Sequence, residues 1–515
     1  MAGGFWIYAA EDRDALGLVE PDGTEHTKGQ LLDRVNQLSH GLRSLGLKRG
    51  DAVCTMLPNS VTPFEVVLAA QQSGYYITPI NFHSAPPEIA YILKDTGAKA
   101  FVSHERFADI AAVAADQAEL PSEARFAVGN IPGFRDYEEL FKGQPTTPIE
   151  DRSAGLTMHY TSGTTGNPKG VKRSLPEGDA DLSAELPAMF LMLFGIMPKD
   201  DNVHLAASPN YHTAVSTFGM NALHMGHAIV FMDKWDGEEA LRLIEKYKVT
   251  HTHMVPTQFH RMLALPEEVR NKYDVSSMRY AIHAAAPCPI ETKRKMLAWW
   301  GDVIYEYYGA TEGGGTLATP QQWIDHPGTV GTAWPISTIK ILDDDGNECP
   351  TGTPGTIYMK MDTGDFEYKD DPSKTSANRK DGFFTVGDVG YLDAEGYLFL
   401  CDRKIDMIIS GGANIYPAEI EAAILQHPSV GDVAVFGIPD EDWGEQIKAV
   451  VEPHAGYTPS DALAAEILSS LDGQLAKMKW PKTIDFIETM PRDPNGKLYK
   501  RKLRDPYWEG RDRAI

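Results

Sequence analysis

Residues 160–172 read YTSGTTGNPKGVK, between an apolar lead-in (Leu156, Met158) and a new segment. Thr161, Ser162, Thr164 and Thr165 bring four hydroxyl side chains, while Gly163, Gly166 and Gly170 let backbone N–H groups close on an anion. Lys169 adds a point charge suited to phosphate. Such a loop fits a polyphosphate. A flexible Gly/Ser/Thr spacer would need neither Pro168 nor the lysine.

The stretch is not a Walker A loop, which needs Gly, four residues, Gly, then Lys and Ser or Thr. Here Asn167 and Pro168 separate Gly166 from Lys169. A P-loop kinase or ATPase is therefore a poor reading.

At 515 residues, and roughly 150 residues per domain, the chain divides into two to four units. Hydrophobic content of 42% and charged content of 23% are those of a globular protein. The net charge of −24 argues against nucleic acid as a partner, and any phosphate site must build its own positive field. Cys54, Cys288, Cys349 and Cys401 are scattered without zinc or redox spacing, so buried small hydrophobes in a reducing cytoplasm are expected. The opening MAGGFWIYAAEDRD lacks a secretory pattern. The longest apolar run, residues 188–197, is half a membrane span, so it is read as a buried helix or pocket wall and no transmembrane segment is expected.

Leu31, Val35, Leu38, Leu42 and Leu45 recur at helical spacing, with Thr27 and Gln30 as a capping box and Gly46 as the stop. Strands at 52–57 and 75–80 alternate with helices at 65–73 and 89–96, and 98–103 repeats the unit. The rhythm returns at 203–207, 228–232, 249–255, 280–284 and 303–306, with helices at 238–247 and 290–300. It predicts an α/β fold of βαβ crossovers around largely parallel sheets. From 328 to about 402, short strands and Gly/Pro/Asp turns suggest a β-rich subdomain. A compact α+β unit follows, with helices at 418–426 and 459–475 and strands near 430–436 and 448–451.

Further motifs carry chemistry. Residues 307–312 read YYGATE: an aromatic beside a glycine can face a purine, and Glu312 is a hard oxygen ligand of the kind Mg²⁺ takes with phosphates. In TVGD, residues 385–388, which precede a turn-rich hairpin, Asp388 stands at a strand end and can accept both ribose hydroxyls. Residues 491–497, PRDPNGK, predict a tight exposed loop with Lys497 at its tip.

In this order and spacing, the motifs resemble those of the adenylate-forming enzymes: acyl-CoA synthetases, peptide-synthetase adenylation domains and firefly-type luciferases. The resemblance covers nearly the whole chain. It implies an N-terminal domain over 1–402 that binds ATP and the acyl group, and a small mobile C-terminal domain over 403–515. It implies that Thr161–Lys169 cradle phosphate, that Ala284, Ala285 and Ala286 line one side of adenine, and that Tyr308 and Gly309 form the other. Thr311 would bind phosphate, Glu312 the metal, and Asp388 and Arg403 the ribose. Gly411 and Gly412, in CDRKIDMIISGGANI, match the glycine turn beside the pantetheine channel. Ile405 stands at the pivot, where many relatives carry Asp or Lys. Lys497 matches the adenylation lysine, and His212 in SPNYHT a residue near the reacting carboxyl.

The implied activity is an ATP-dependent acyl-CoA synthetase using Mg²⁺ and coenzyme A, with an acyl-AMP intermediate and Lys477, Lys479 and Lys482 near the coenzyme nucleotide. An added segment typical of carrier-protein loaders is not seen between the YYGATE motif and the hinge, which favours free coenzyme A. Carrier loading and non-catalytic nucleotide binding stay open. Gly313–Gly315 are expected to leave room for the acyl group, and Met189, Phe190, Met192, Phe194, Met220 and Met225 to offer apolar walls. A medium-to-long fatty acid or bulky steroid-like acid is the favoured substrate. A homodimer is compatible with the sequence.

Overall fold

The computed structural model describes residues 3–161, 168–310, 313–362, 367–368, 379–492 and 496–509. They form two compact units, one of Met1–Met254, Leu265–Ile282 and Thr363–Ala377, the other of Val255–Ala264, His283–Asp362 and Asn378–Ile515.

The first unit contains the predicted parallel sheets. One runs in the order Arg135–Asp136, Arg125–Val128, Ala100–His104, Ala52–Met56, Tyr76–Pro79, Leu156–Thr157, and every pairing is parallel. A second places Val203–Ala206 between Ala228–Phe231 and His251–Met254, these three parallel, with antiparallel pairs towards its edges. Residues buried on both faces give the near-continuous apolar strands such sheets need. The helix Lys28–Ser44 has the expected capping box at Thr27 and Gln30 and stops before Gly46, which adopts φ +87°. The helix ending at Ser73 begins at Val61, four residues before its expected start, because Pro63 falls in the first turn, where its missing N–H costs nothing.

The second unit holds the β-rich part as an antiparallel sheet over Ser337–Leu342, Gly355–Met361, Phe383–Phe384, Asp388–Leu392 and Leu398–Arg403. Beyond it, a hairpin of Val430–Asp440 and Gly444–Pro453 and the helices Pro417–Ile424 and Asp461–Ser469 close over Ile408, Ile420, Val433, Ile447 and Ile467. This hairpin is longer than the sequence suggested, since cross-strand pairing carries it through Pro439. The second helix is shorter, beginning after a Ser460 cap and ending four residues before Gly473, which takes φ +76°.

Two expectations are corrected. Only Cys54 is fully buried, its thiol pushed up to about 12 by desolvation; the other three cysteines are half-buried, and all four are free. The run 188–197 is not one buried helix. It ends an α-helix at Ala188 and continues as a 3₁₀ turn, Met189–Phe194, closed by Gly195 at φ +89°. Leu191 and Phe194 are buried, whereas Met189 and Met197 are 46% and 43% exposed. Among the described residues, no helix is long and apolar enough to cross a membrane.

Candidate functional site

In the first unit, the described flanks of the phosphate-loop stretch are two paired strands. His159–Thr161 and Lys169–Lys172 pair antiparallel, with Thr161 opposite Lys169 and Tyr160 opposite Gly170. The loop thus leaves and re-enters one ladder, so its two ends are held together by the register. Ser162, Gly163, Thr164, Thr165 and Gly166 lie outside the described residues. Tyr160 braces the strand pair: its hydroxyl bonds to Asp95, and its ring fills the space that a side chain at 170 would occupy, 2.9 Å from an added Cβ. Burial and that carboxylate push the Tyr160 phenol well up, so it stays a donor.

His212 stands at the N-cap position of the helix Thr213–His224, half-buried, and its ring lies tilted against Tyr211 at 4.4 Å. Phe82 meets Tyr211 edge-on at 4.9 Å and stacks on Phe107 at 4.6 Å. Behind Tyr211 lies a cavity lined by Leu57, Pro63, Phe64, Ile80 and Met220. Met220 and Met225 are core residues, and Met189 faces outward.

In the second unit, the first three residues of the YYGATE motif, Tyr307–Gly309, do not follow a strand but lie on one. Ile304–Gly309 pairs antiparallel with Gly315–Ala318, placing Tyr308 opposite Thr316 and Gly309 opposite Gly315. The Tyr308 hydroxyl donates to Asp388 Oδ2 at 2.8 Å. Asp388 stands across the strand pair from Arg403, whose Nε is 3.4 Å from Oδ1. The aromatic, the carboxylate and the guanidinium that sequence singled out are therefore one connected group. Thr311 and Glu312 lie outside the described residues.

Ala284, Ala285 and Ala286 follow the strand Tyr280–His283, and Ala285 turns the chain at φ +74°. A buried ion pair underlies this region: Lys293 Nζ lies 2.7 Å from Glu306 Oε2, with His283 Nε2 3.4 Å from the same oxygen and Trp323 beneath the ammonium. Sequence reasoning missed this pair. The signal was present, because Lys293 shares one helical face with Met296 and Trp300.

Gly314 and Gly315 of the triple glycine do not leave open room. A Cβ at Gly315 would strike the Tyr308 carbonyl and sit 2.9 Å from the Trp334 ring; one at Gly314 would sit 3.2 Å from Met359. Small residues are needed there because backbone and Trp334 already fill the space.

Gly411 and Gly412 form the turn between Ile408–Ser410 and Ala413–Ile415, at φ +58° and +81°. Trp443, 58% exposed, lies over Gly411, where a Cβ would be 2.5 Å from its ring. Ile405 is in a short 3₁₀ turn, and Lys479 is tied to Glu419 at 2.6 Å. Lys497 is exposed, next to Gly496, which turns at φ +80°.

The family model described as AMP-binding enzyme matches residues 5–363, and that of the AMP-binding enzyme C-terminal domain matches residues 419–497. The long-chain-fatty-acid–CoA ligase FadD13 of Mycobacterium tuberculosis is 32% identical over 492 residues, 95% of this chain and 95% of that protein. The fatty acid–[acyl-carrier-protein] ligase ScoC of Streptomyces coeruleorubidus is 29% identical over 503 residues, covering 96% and 94%. The crystal structure of ATP-bound MatB from Rhodopseudomonas palustris superposes with a TM-score of 0.81 at 30% identity, over 98% of this chain and 99% of that one. The chain belongs to the AMP-binding enzymes, in the acyl-CoA synthetase branch of the adenylate-forming superfamily.

Proposed function

We propose that the protein is an AMP-forming acid–thiol ligase that joins a hydrophobic carboxylic acid to coenzyme A. The observation that carries this reading is the Tyr308–Asp388–Arg403 group, a ring and a charged pair suited to a nucleoside. A free carboxylate repels nucleophiles and has no good leaving group. Attack of the carboxylate on the α-phosphate of ATP, with pyrophosphate leaving, gives an acyl-AMP mixed anhydride, whose carbonyl carbon a thiol can attack with AMP leaving.

The first step brings two anions together, so positioning and charge neutralisation dominate it. Lys497 would bridge the acid and the α-phosphate, and Thr161–Lys169 would hold the remaining phosphates. Among the described residues, no cluster of three or more His, Cys, Asp or Glu forms a closed metal site. A metal bound through Glu312 would supply charge neutralisation beside the phosphates, as Mg²⁺ does. The second step would follow rotation of residues 403–515 about Ile405, bringing the Gly411–Gly412 turn to the acyl carbon. In that arrangement Lys477, Lys479 and Lys482 would face the coenzyme nucleotide.

The acid is a medium-to-long fatty acid or a bulky steroid-like acid. Its support is the aromatic group around His212 (Phe82, Phe107, Tyr211). A second reading, loading of a carrier protein, is favoured by the likeness to ScoC.

The test is AMP release from ATP and Mg²⁺ across octanoate, dodecanoate, palmitate, cholate and acetate, with coenzyme A or acyl-carrier protein as acceptor. Fast turnover of the long or bulky acids with coenzyme A is expected. Preference for acetate overturns the substrate class, and turnover with the carrier alone overturns the acceptor.

A further inference from the structure

Lys497 is exposed, and a lysine carries four rotatable bonds, so delivery of its amine depends on how firmly its own backbone is held. The structure shows one side chain doing this. Arg492 Nε lies 2.5 Å from Asp432 Oδ2, and Nη2 2.8 Å from Oδ1. The third arm of the same guanidinium, Nη1, donates to the Gly496 carbonyl at 2.6 Å. Arg492 and Asp432 are 17% and 10% exposed, so the fork works with little competition from water.

Two more contacts fix the same place. Arg492 and Leu498 form a backbone bridge, and the Tyr499 N–H donates to the Pro491 carbonyl at 2.9 Å, closing the base of the loop. Gly496 packs on the helix Pro256–Leu263: an added Cβ would lie 2.9 Å from Thr257 Oγ1 and 3.1 Å from Val255. The carbonyl gripped by Arg492 belongs to the residue immediately before Lys497.

We infer that Arg492 is a positioning residue for adenylate formation: anchored on Asp432, it holds the Gly496 carbonyl and so fixes the point from which Lys497 reaches the substrate. The inference rests on the adenylation role proposed for Lys497. A lysine at 492 would keep a cation for Asp432 but lacks the planar fork that serves two partners at once.

The experiment uses the full chain and the acid giving fastest AMP release in the panel above. Arg492→Lys should slow ATP–pyrophosphate exchange about 10²-fold, the scale of an ångström-size misplacement. Thioester formation from the same acid supplied as its acyl-adenylate should stay within about twofold, as expected if that step does not use the clamp. The double variant Arg492→Met/Asp432→Leu, which leaves no buried charge behind, should show the same split if Arg492→Lys fails to fold. Equal loss in both half-reactions, or unchanged exchange, overturns the inference. Lys497→Ala is the control: if it exchanges at the wild-type rate, the role of Lys497 fails; if it is inactive in exchange while Arg492→Lys is not, only the clamp fails.

Discussion

The Tyr308 hydroxyl is bonded to Asp388 at 2.8 Å, so the residue proposed to face adenine and the one proposed to hold ribose orient each other before any nucleotide arrives. Tyr308→Phe keeps the ring but releases the carboxylate. A hydrogen bond to a charged group contributes about 1.5–3 kcal/mol, so the KM for ATP should rise about tenfold or more while kcat changes little. Steady-state kinetics at saturating acid and coenzyme A measure it. A fall in kcat with unchanged KM would contradict ground-state preorganisation.

Lys293 and Glu306 form a buried pair, with side chains 0% and 6% exposed. Removing one partner strands the other charge. Lys293→Met should cost about 3–5 kcal/mol in chemical denaturation, whereas Lys293→Met/Glu306→Leu should recover most of that loss. A double variant no more stable than the single one would show that the pair stabilises beyond its own charges.

A group of histidines fills the first unit. His204 and His251 are joined Nδ1 to Nδ1 at 3.1 Å, with His227 and His253 nearby and Phe218 packed on His204 and His253. Burial depresses His204 to about 3 and His227 and His253 to about 4; His251 is lowered as well. Asp200 opposes the shift at His227, and Lys28 and Arg279 add to it. For a base held below its ordinary value, the unfolded chain binds more protons. Stability is therefore complete above about pH 6.5 and falls as pH drops toward 4, by about 1.4 kcal/mol per unit for each histidine. Urea midpoints between pH 7.5 and 5 should show this fall, and His253→Gln should flatten it.

Gly315→Ala should disturb the nucleotide group from behind, because the new methyl strikes the Tyr308 carbonyl and the Trp334 ring. Lower thermal stability and weaker ATP binding by calorimetry are expected.

The α/β class, the helix caps and the loop tips were legible because they follow from local rules. Thr27 and Gln30 satisfy each other three residues apart, and Gly496 turns at φ +80° beside the exposed Lys497. Strand lengths were not legible. Tyr308 sits inside a strand because Thr316 pairs with it, and no pattern within residues 303–309 shows that partner. The glycines at 314 and 315 looked like open space for the same reason: what fills it, Trp334 and Met359, comes from elsewhere in the chain.

The sequence by itself determined which residue types could meet a nucleotide, since hydroxyls, glycines, an aspartate and lysines carry that chemistry wherever they stand. Only the tertiary structure decided how they hold one another: Asp388 between Tyr308 and Arg403, Asp432 beneath Arg492, Glu306 against Lys293. Each of these contacts joins residues 13 to 80 positions apart, and such a contact forms only when the free energy of burying the intervening core outweighs the entropy of closing the chain around it.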